Sequence, residues 1–156
     1  MSHNREVPAS VKRRTLDDLL AEAESRIARF SPADAHAALQ ADALLIDIRS
    51  DGDRERDGIV PGSLHIPRTV LEWRTAPNSG FRNPHVGDLD REVILLCDHG
   101  YSSILAAAVL EELGFMRAGD VIGGFVAWRD AGLPVSRARS QRRGPDERAG
   151  MGPPDP

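Results

Sequence analysis

Four short apolar runs punctuate this chain, and the segments between them repeat apolar residues at helical spacing. "ALLIDI" (43–48) and "EVILLC" (92–97) are apolar without alternation, as strands buried on both faces should be. "SLHIP" (63–67), stopped by Pro67, and "GDVIGG" (119–124) read as further strands. A helix is predicted over 15–29, with Thr15 as its cap, Asp17 and Asp18 in its first turn, and Arg26 and Arg29 near its end. Leu16, Leu19, Leu20, Ala23 and Ile27 would share one face of it. Ser31 and Pro32 open a second helix in "FSPADAHAALQ". A third runs from Ser102 to Leu113 and stops at Gly114, and "FVAWRDAG" makes a last short one ended by Gly132. Strands alternating with helices predict an α/β fold, a mostly parallel sheet flanked by helices on both faces.

The remaining segments lack a period. "RTAPNSGFRNPHVGDLD" (74–90) reads as a long loop, not a second domain. Residues 1–14 read as a disordered lead-in and 136–156 as a disordered, charged, Pro- and Gly-rich tail, leaving one domain over 15–135.

Composition narrows the function. The 156 residues suit one domain with a sizeable core, and no apolar run reaches the roughly 20 residues of a membrane span. No apolar segment follows the basic N-terminus, so no secretory signal is expected. A net charge of −4 offers no basic excess for nucleic acid. The single cysteine forms no internal disulfide, which favours a cytoplasmic setting. Lys12 is the only lysine among many arginines, a codon signature of a high-GC bacterial genome. The five histidines have no metal-ligand spacing, and neither metal nor cofactor is expected.

That one cysteine, Cys97, closes the most apolar strand and precedes a helix by a few residues, within "LLCDHGYSSILAAAVLEELG". The connecting residues must bend sharply, and Gly100 is free to take a positive φ. A tight loop entering a helix points successive N–H groups inward, a nest for anions. A free thiol titrates near about 8.5, and a helix N-terminus lowers that value. Ser102 and Ser103 can donate hydroxyls into the loop while capping the helix. A buried structural thiol remains the plainer reading of a lone cysteine. The strand–C-x-x-G-x-S-S–helix context favours a working one.

At these residues the chain resembles a known family. "CDHGYSS" (97–103) looks like the active-site loop of rhodanese-like sulfurtransferases, C-x-x-G-x-[RST]-S. "DIR", with Asp47 and Arg49, matches the family's D-x-R. "GIVPGSLHIP" (58–67) and "VIGGFVAWRDAGLPV" (121–135) resemble its G-H-I-P-G-A-x-x-I-P and closing G-G-x-x-A-W-x-x-A-G-x-P-V segments. The resemblance implies a five-stranded parallel sheet and a single-domain bacterial enzyme. Its Cys97 thiolate would take a sulfane sulfur from a small-molecule donor such as thiosulfate. It would hold that sulfur as a persulfide, cradled by Asp98, His99, Gly100, Tyr101, Ser102 and Ser103, and pass it to cyanide, a thiol or an acceptor protein. A non-catalytic rhodanese-like binding or redox-sensing module is the alternative.

Particular residues refine the expectation. The related phosphatases carry a longer loop with an arginine, whereas Cys97 to Ser102 is six residues without one. Asp98 would oppose a thiolate if it faced the pocket, and is expected to face solvent. His99 reads as a proton shuttle or a solvated rim residue, and Tyr101 as a pocket wall. Arg68 and Arg74 could line the pocket mouth or lie on the surface. Asp47 and Arg49 read as a structural ion pair or hydrogen-bonded anchor, not as catalytic groups, and Trp128 as core. Ile59 replaces the family's histidine.

Overall fold

The computed structural model describes residue 6 and residues 12–138. Its first half runs α1 (Leu16–Glu24), β1 (Ala28–Phe30), α2 (Pro32–Gln40), β2 (Leu44–Asp47), α3 (Asp51–Asp57) and β3 (Leu64–His65). A single 3-10 turn (Arg68–Val70) leads into α4 (Leu71–Thr75), then β4 (Val93–Leu96), α5 (Ser102–Glu112), β5 (Ala118–Val121) and α6 (Gly124–Asp130). The five strands form one sheet in the order β1-β5-β4-β2-β3, and every pairing is parallel.

The unbroken apolar runs follow from two cores. Val93, Leu95 and Cys97 enter the core on one face, with Leu44, Ile46 and Ile48 of the neighbouring strand. Ile94, Leu96 and Leu45 enter the core on the other face. Both sets of alternate residues are buried, so no polar face exists to alternate with. Ala106, Ala107 and Leu110 of α5 cover the first core, while Ala35 of α2 and Phe125 and Trp128 of α6 fill the second. Helix α5 is itself buried on a further side, where Ala23 of α1 meets Ile104 and Ala108. Trp128 is fully buried, as expected, and its ring N–H donates to the Pro134 carbonyl at 2.9 Å.

The helix expected over 15–29 is shorter than the sequence suggests. Thr15 and Asp18 do form a reciprocal capping box, but the helix ends at Glu24. Ala28, Arg29 and Phe30 instead form an edge strand opposite Gly119, Asp120 and Val121. Three residues are too few to show a period, and a partner far along the chain decides their state. The shared apolar face shrinks with the helix: Leu20, Ala23 and Ile27 pack, whereas Leu16 and Leu19 are exposed.

Other boundaries moved by a few residues. The strand expected over 119–124 ends at Val121, because Gly123 and Gly124 take positive φ and turn the chain into α6. The loop expected from residue 74 begins after α4. The lead-in over 1–14 and the tail over 136–156 lie largely outside the described residues. Ser136 is described, and it exchanges two backbone hydrogen bonds with Ile59, so paired backbone continues past Val135.

Candidate active site

Cys97 follows β4 directly and keeps the side-chain direction of Val93 and Leu95, which places its sulfur beneath the start of α5. The loop behind it is held by its carbonyls. Phe125 N–H donates to the Cys97 carbonyl at 2.8 Å, and Val126 N–H to the Asp98 carbonyl at 3.1 Å. Arg29 Nη2 donates to the Gly100 carbonyl at 3.1 Å. In a trans peptide the next N–H points opposite its carbonyl, so the amides of Asp98, His99 and Tyr101 are turned away from those three partners. The Gly100 amide itself donates to Cys97 Sγ at 3.0 Å.

Gly100 has φ +83, the left-handed region anticipated for it. Space gives a second reason for glycine. A Cβ there would lie 2.5 Å from the Gly123 nitrogen, and one on Gly124 would lie 2.5 Å from the Cys97 carbonyl oxygen. The cysteine loop and the Gly123–Gly124 turn therefore interlock without side chains between them.

Behind the sulfur lies a chain of hydrogen bonds. The Cys97 thiol meets Ser103 Oγ at 3.2 Å, and Ser103 Oγ donates to Asp120 Oδ2 at 2.7 Å. Asp120 is fully buried and accepts from Arg29 Nε at 2.9 Å, and this carboxylate raises the arginine above its ordinary value. Neither Arg29 nor Asp120 was anticipated at the site. The available signal was a lone carboxylate within an apolar strand run, which needs a buried partner. Burial pushes the Cys97 thiol up, but hydrogen bonds from Ser103 and Ser102 and the backbone amides of Ser103 and Gly100 outweigh it, and the thiol lies below its ordinary value.

The other anticipated residues divide. Asp98 is only half-buried, yet its Oδ1 is buried without a hydrogen-bond partner while Oδ2 lies 3.4 Å from His99 Nδ1; it does not simply face solvent. His99 is exposed. Tyr101 is 69% exposed. Helix α5 has no side-chain cap, because its N-cap is Tyr101 and the Ser103 hydroxyl is engaged with Asp120. Arg68 pairs with Glu72 at 2.8 Å on the surface. Arg74 is buried and donates to the Phe81 carbonyl, anchoring the loop after α4. No hydrogen bond or ion pair joins either arginine to residues 97–103 among the described residues.

Asp47 and Arg49 form the ion pair read from the sequence. Arg49 donates from Nε to Oδ1 at 3.1 Å and from Nη2 to Oδ2 at 2.9 Å, and its Nη2 also reaches the Gly58 carbonyl at 2.8 Å. The guanidinium lies 3.9 Å from the centre of the Phe125 ring, directly behind the residue that binds the Cys97 carbonyl. Among the described residues no cluster of His, Cys, Asp and Glu could hold a metal, and no helix is long and apolar enough to cross a membrane.

Comparison with known proteins places this geometry. The family model of the rhodanese-like domain matches residues 31–131. The thiosulfate sulfurtransferase GlpE of Stutzerimonas stutzeri is 37% identical over 101 residues, 65% of this chain and 84% of that protein. A sulfurtransferase of Allochromatium vinosum is 31% identical over 94 residues, 60% of this chain and 78% of that one. Among solved structures, a Rhodopseudomonas palustris protein of unknown function, a possible tyrosine phosphatase, superposes with a TM-score of 0.74. It is 34% identical, and the match covers 84% of this chain and all of that one. The polysulfide-sulfur transferase homodimer of Wolinella succinogenes superposes with a TM-score of 0.60 at 26% identity, over 80% of this chain and 88% of its own.

Proposed function

This chain belongs to the rhodanese-like domain family, and from that premise we propose that Cys97 is the sulfur carrier of a thiosulfate sulfurtransferase. The observation that carries the reading is the sulfur's setting: a lone cysteine with the Gly100 amide at 3.0 Å, inside a loop whose Cys97, Asp98 and Gly100 carbonyls are bound by Phe125, Val126 and Arg29. Such a loop favours an anion at the sulfur, and both the thiolate and the persulfide are anions.

The cycle balances with no cofactor. The thiolate attacks the outer sulfur of thiosulfate, a Cys97 S–S bond forms, and the old S–S bond breaks with its electron pair leaving on sulfite. The persulfide's outer sulfur then carries the charge against the loop amides. An acceptor, cyanide or a thiolate, attacks that sulfur, and Cys97 departs as a thiolate. The acceptor in the cell would be a small thiol or a thiol-bearing protein. The lone cysteine, with no disulfide partner, supports a cytoplasmic setting.

Phosphoryl transfer is the reading suggested by the Rhodopseudomonas relative, and the loop argues against it. Residues 97–102 include no arginine, and Arg29 is bound to the Gly100 carbonyl and Asp120. A phosphoryl group would find amides but no guanidinium clamp.

The test is thiocyanate formation from cyanide, with thiosulfate or polysulfide as donor, by wild type and Cys97→Ser. Wild type should gain the mass of one sulfur atom on Cys97 and turn over at least one donor, and Cys97→Ser should do neither. A wild type no faster than the variant with either donor would overturn the enzyme reading and leave a binding or redox-sensing module. Hydrolysis of para-nitrophenyl phosphate is expected from neither protein.

A further inference from the structure

A single hydroxyl hydrogen lies between two groups that can use it. Ser103 Oγ is 2.7 Å from Asp120 Oδ2 and 3.2 Å from Cys97 Sγ. A serine has one O–H to donate, and a carboxylate only accepts. The shorter contact therefore takes the hydrogen. Cys97 then faces an Oγ lone pair and bonds to it as the S–H donor. A thiolate has no proton to offer, so at that contact it must accept the Ser103 hydrogen instead.

We propose that Asp120, held by Arg29, is a positioning residue that parks the Ser103 hydroxyl and releases it to Cys97 whenever the sulfur is a thiolate. The change is a rotation about one C–O bond, with no heavy atom displaced. Asp120 is not stranded when the hydrogen leaves, because Arg29 Nε stays 2.9 Å from Oδ1 and Nη2 stays 3.3 Å from Oδ2. The same Nη2 holds the Gly100 carbonyl at 3.1 Å, so one cation braces both the carboxylate and the loop.

The role in turnover rests on Cys97 being the sulfur carrier. During loading the hydroxyl points at the attacking thiolate. Once the S–S bond has formed, the charge sits on the outer sulfur and the hydrogen returns to Asp120. On discharge that bond breaks with its electron pair going to Sγ, and the hydroxyl turns back onto the departing thiolate.

Charged groups stand on each element of this end of the sheet. Asp98 and His99 stand in the loop, Arg29 on β1 and Asp120 on β5. Asp47, Arg49 and Arg54 lie at the end of β2 and in α3, His65 on β3, and Arg68, Glu72 and Arg74 on the segment before the long loop. Of these, only Asp120 has a hydrogen bond to Ser103 among the described residues.

Asp120→Asn removes the charge that holds the hydrogen. The thiol midpoint, read from the pH dependence of iodoacetamide alkylation, is expected to fall, with alkylation below the midpoint about tenfold faster, equivalent to one pH unit. A purely structural role would loosen the loop and raise the midpoint, and that result would overturn the proposal. In a Ser103→Ala background the Asp120→Asn effect should mostly vanish. An undiminished effect would mean that Asp120 acts through space, which also overturns it. Wild type supplies a reading that needs no variant to fold: the Asp120 carboxyl carbon resonance should move as Cys97 ionises, through the change in its Ser103 hydrogen bond. A flat resonance across the thiol titration would sink the switch. None of these measurements uses a sulfur donor, so a failed donor assay and a failed switch are told apart.

Discussion

Two aspartate–arginine pairs, each with a buried carboxylate, flank the cysteine strand, Asp47–Arg49 at the end of β2 and Asp120–Arg29 across β5 and β1. Their chemistry is the same and their consequences differ. Asp47 spends its acceptors on cations and backbone: the Arg49 amide, Nε and Nη2, with Arg54 Nε at 3.3 Å. Asp120 divides its acceptors between a cation and a neutral hydroxyl that touches the sulfur. A carboxylate saturated by arginine is a brace. One that shares a movable hydrogen can respond to its neighbour's charge.

Burial separates the pairs further. The side chain of Arg49 is 1% exposed, and that of Arg29 is 26% exposed. Removing Asp47 leaves Arg49 uncompensated with no water to replace its partner, and such losses cost about 3–5 kcal/mol. Asp47→Ala is expected to lose stability on that scale in urea unfolding, while the folded fraction keeps its thiol midpoint. A shift in that midpoint as large as that of Asp120→Asn would erase the distinction between brace and switch.

The two pairs also differ in how far the sequence discloses them. Asp47 and Arg49 are two residues apart, so one motif carries both partners. Cys97 and its loop are legible for the same reason, being contiguous between a strand run and a helix with a glycine stop. Arg29 and Asp120 lie 91 residues apart, and meet only because Ala28–Phe30 pairs with β5. That strand is three residues long and sits where a helical period was still plausible, so the second pair was hidden by the misread helix. Side-chain orientation was equally illegible: Arg74 is a loop anchor because its guanidinium meets the Phe81 carbonyl, a contact that no local pattern encodes.

A sharper test of the loop between the pairs uses Gly100. Valine there would need φ +83 and would set its Cβ against the Gly123 nitrogen. Strain of that kind costs about 1–3 kcal/mol. The displaced amide would cease to serve the sulfur, so Gly100→Val should alkylate more slowly at neutral pH through a raised thiol midpoint, while keeping a normal far-UV spectrum. This shift opposes the one expected for Asp120→Asn, so the two variants separate loss of the cradle from release of the hydroxyl. Unchanged alkylation with unchanged activity would mean that the amides do not activate Cys97.

The smallest expected effect lies on the brace side, at His65. Its Nε2 lies 2.8 Å from the Arg49 carbonyl, so that nitrogen must carry the proton and donate. Burial lowers this histidine below its ordinary value, against an opposing pull from the Arg49 carbonyl, and Arg54 lowers it further. A histidine depressed by folding favours the neutral ring in the native state. It contributes stability that is fully present above the unfolded value of about 6.5 and is lost as pH falls through the folded value. The brace should therefore weaken in mild acid, which the Asp120–Arg29 side has no histidine contact to do among the described residues. His65→Gln keeps an N–H donor for the Arg49 carbonyl without the titration. Its stability should fall less steeply than wild type between neutral pH and mild acid, with the thiol midpoint unmoved. Parallel pH slopes for the two proteins would show that protonation of His65 is not what loosens this side of the sheet.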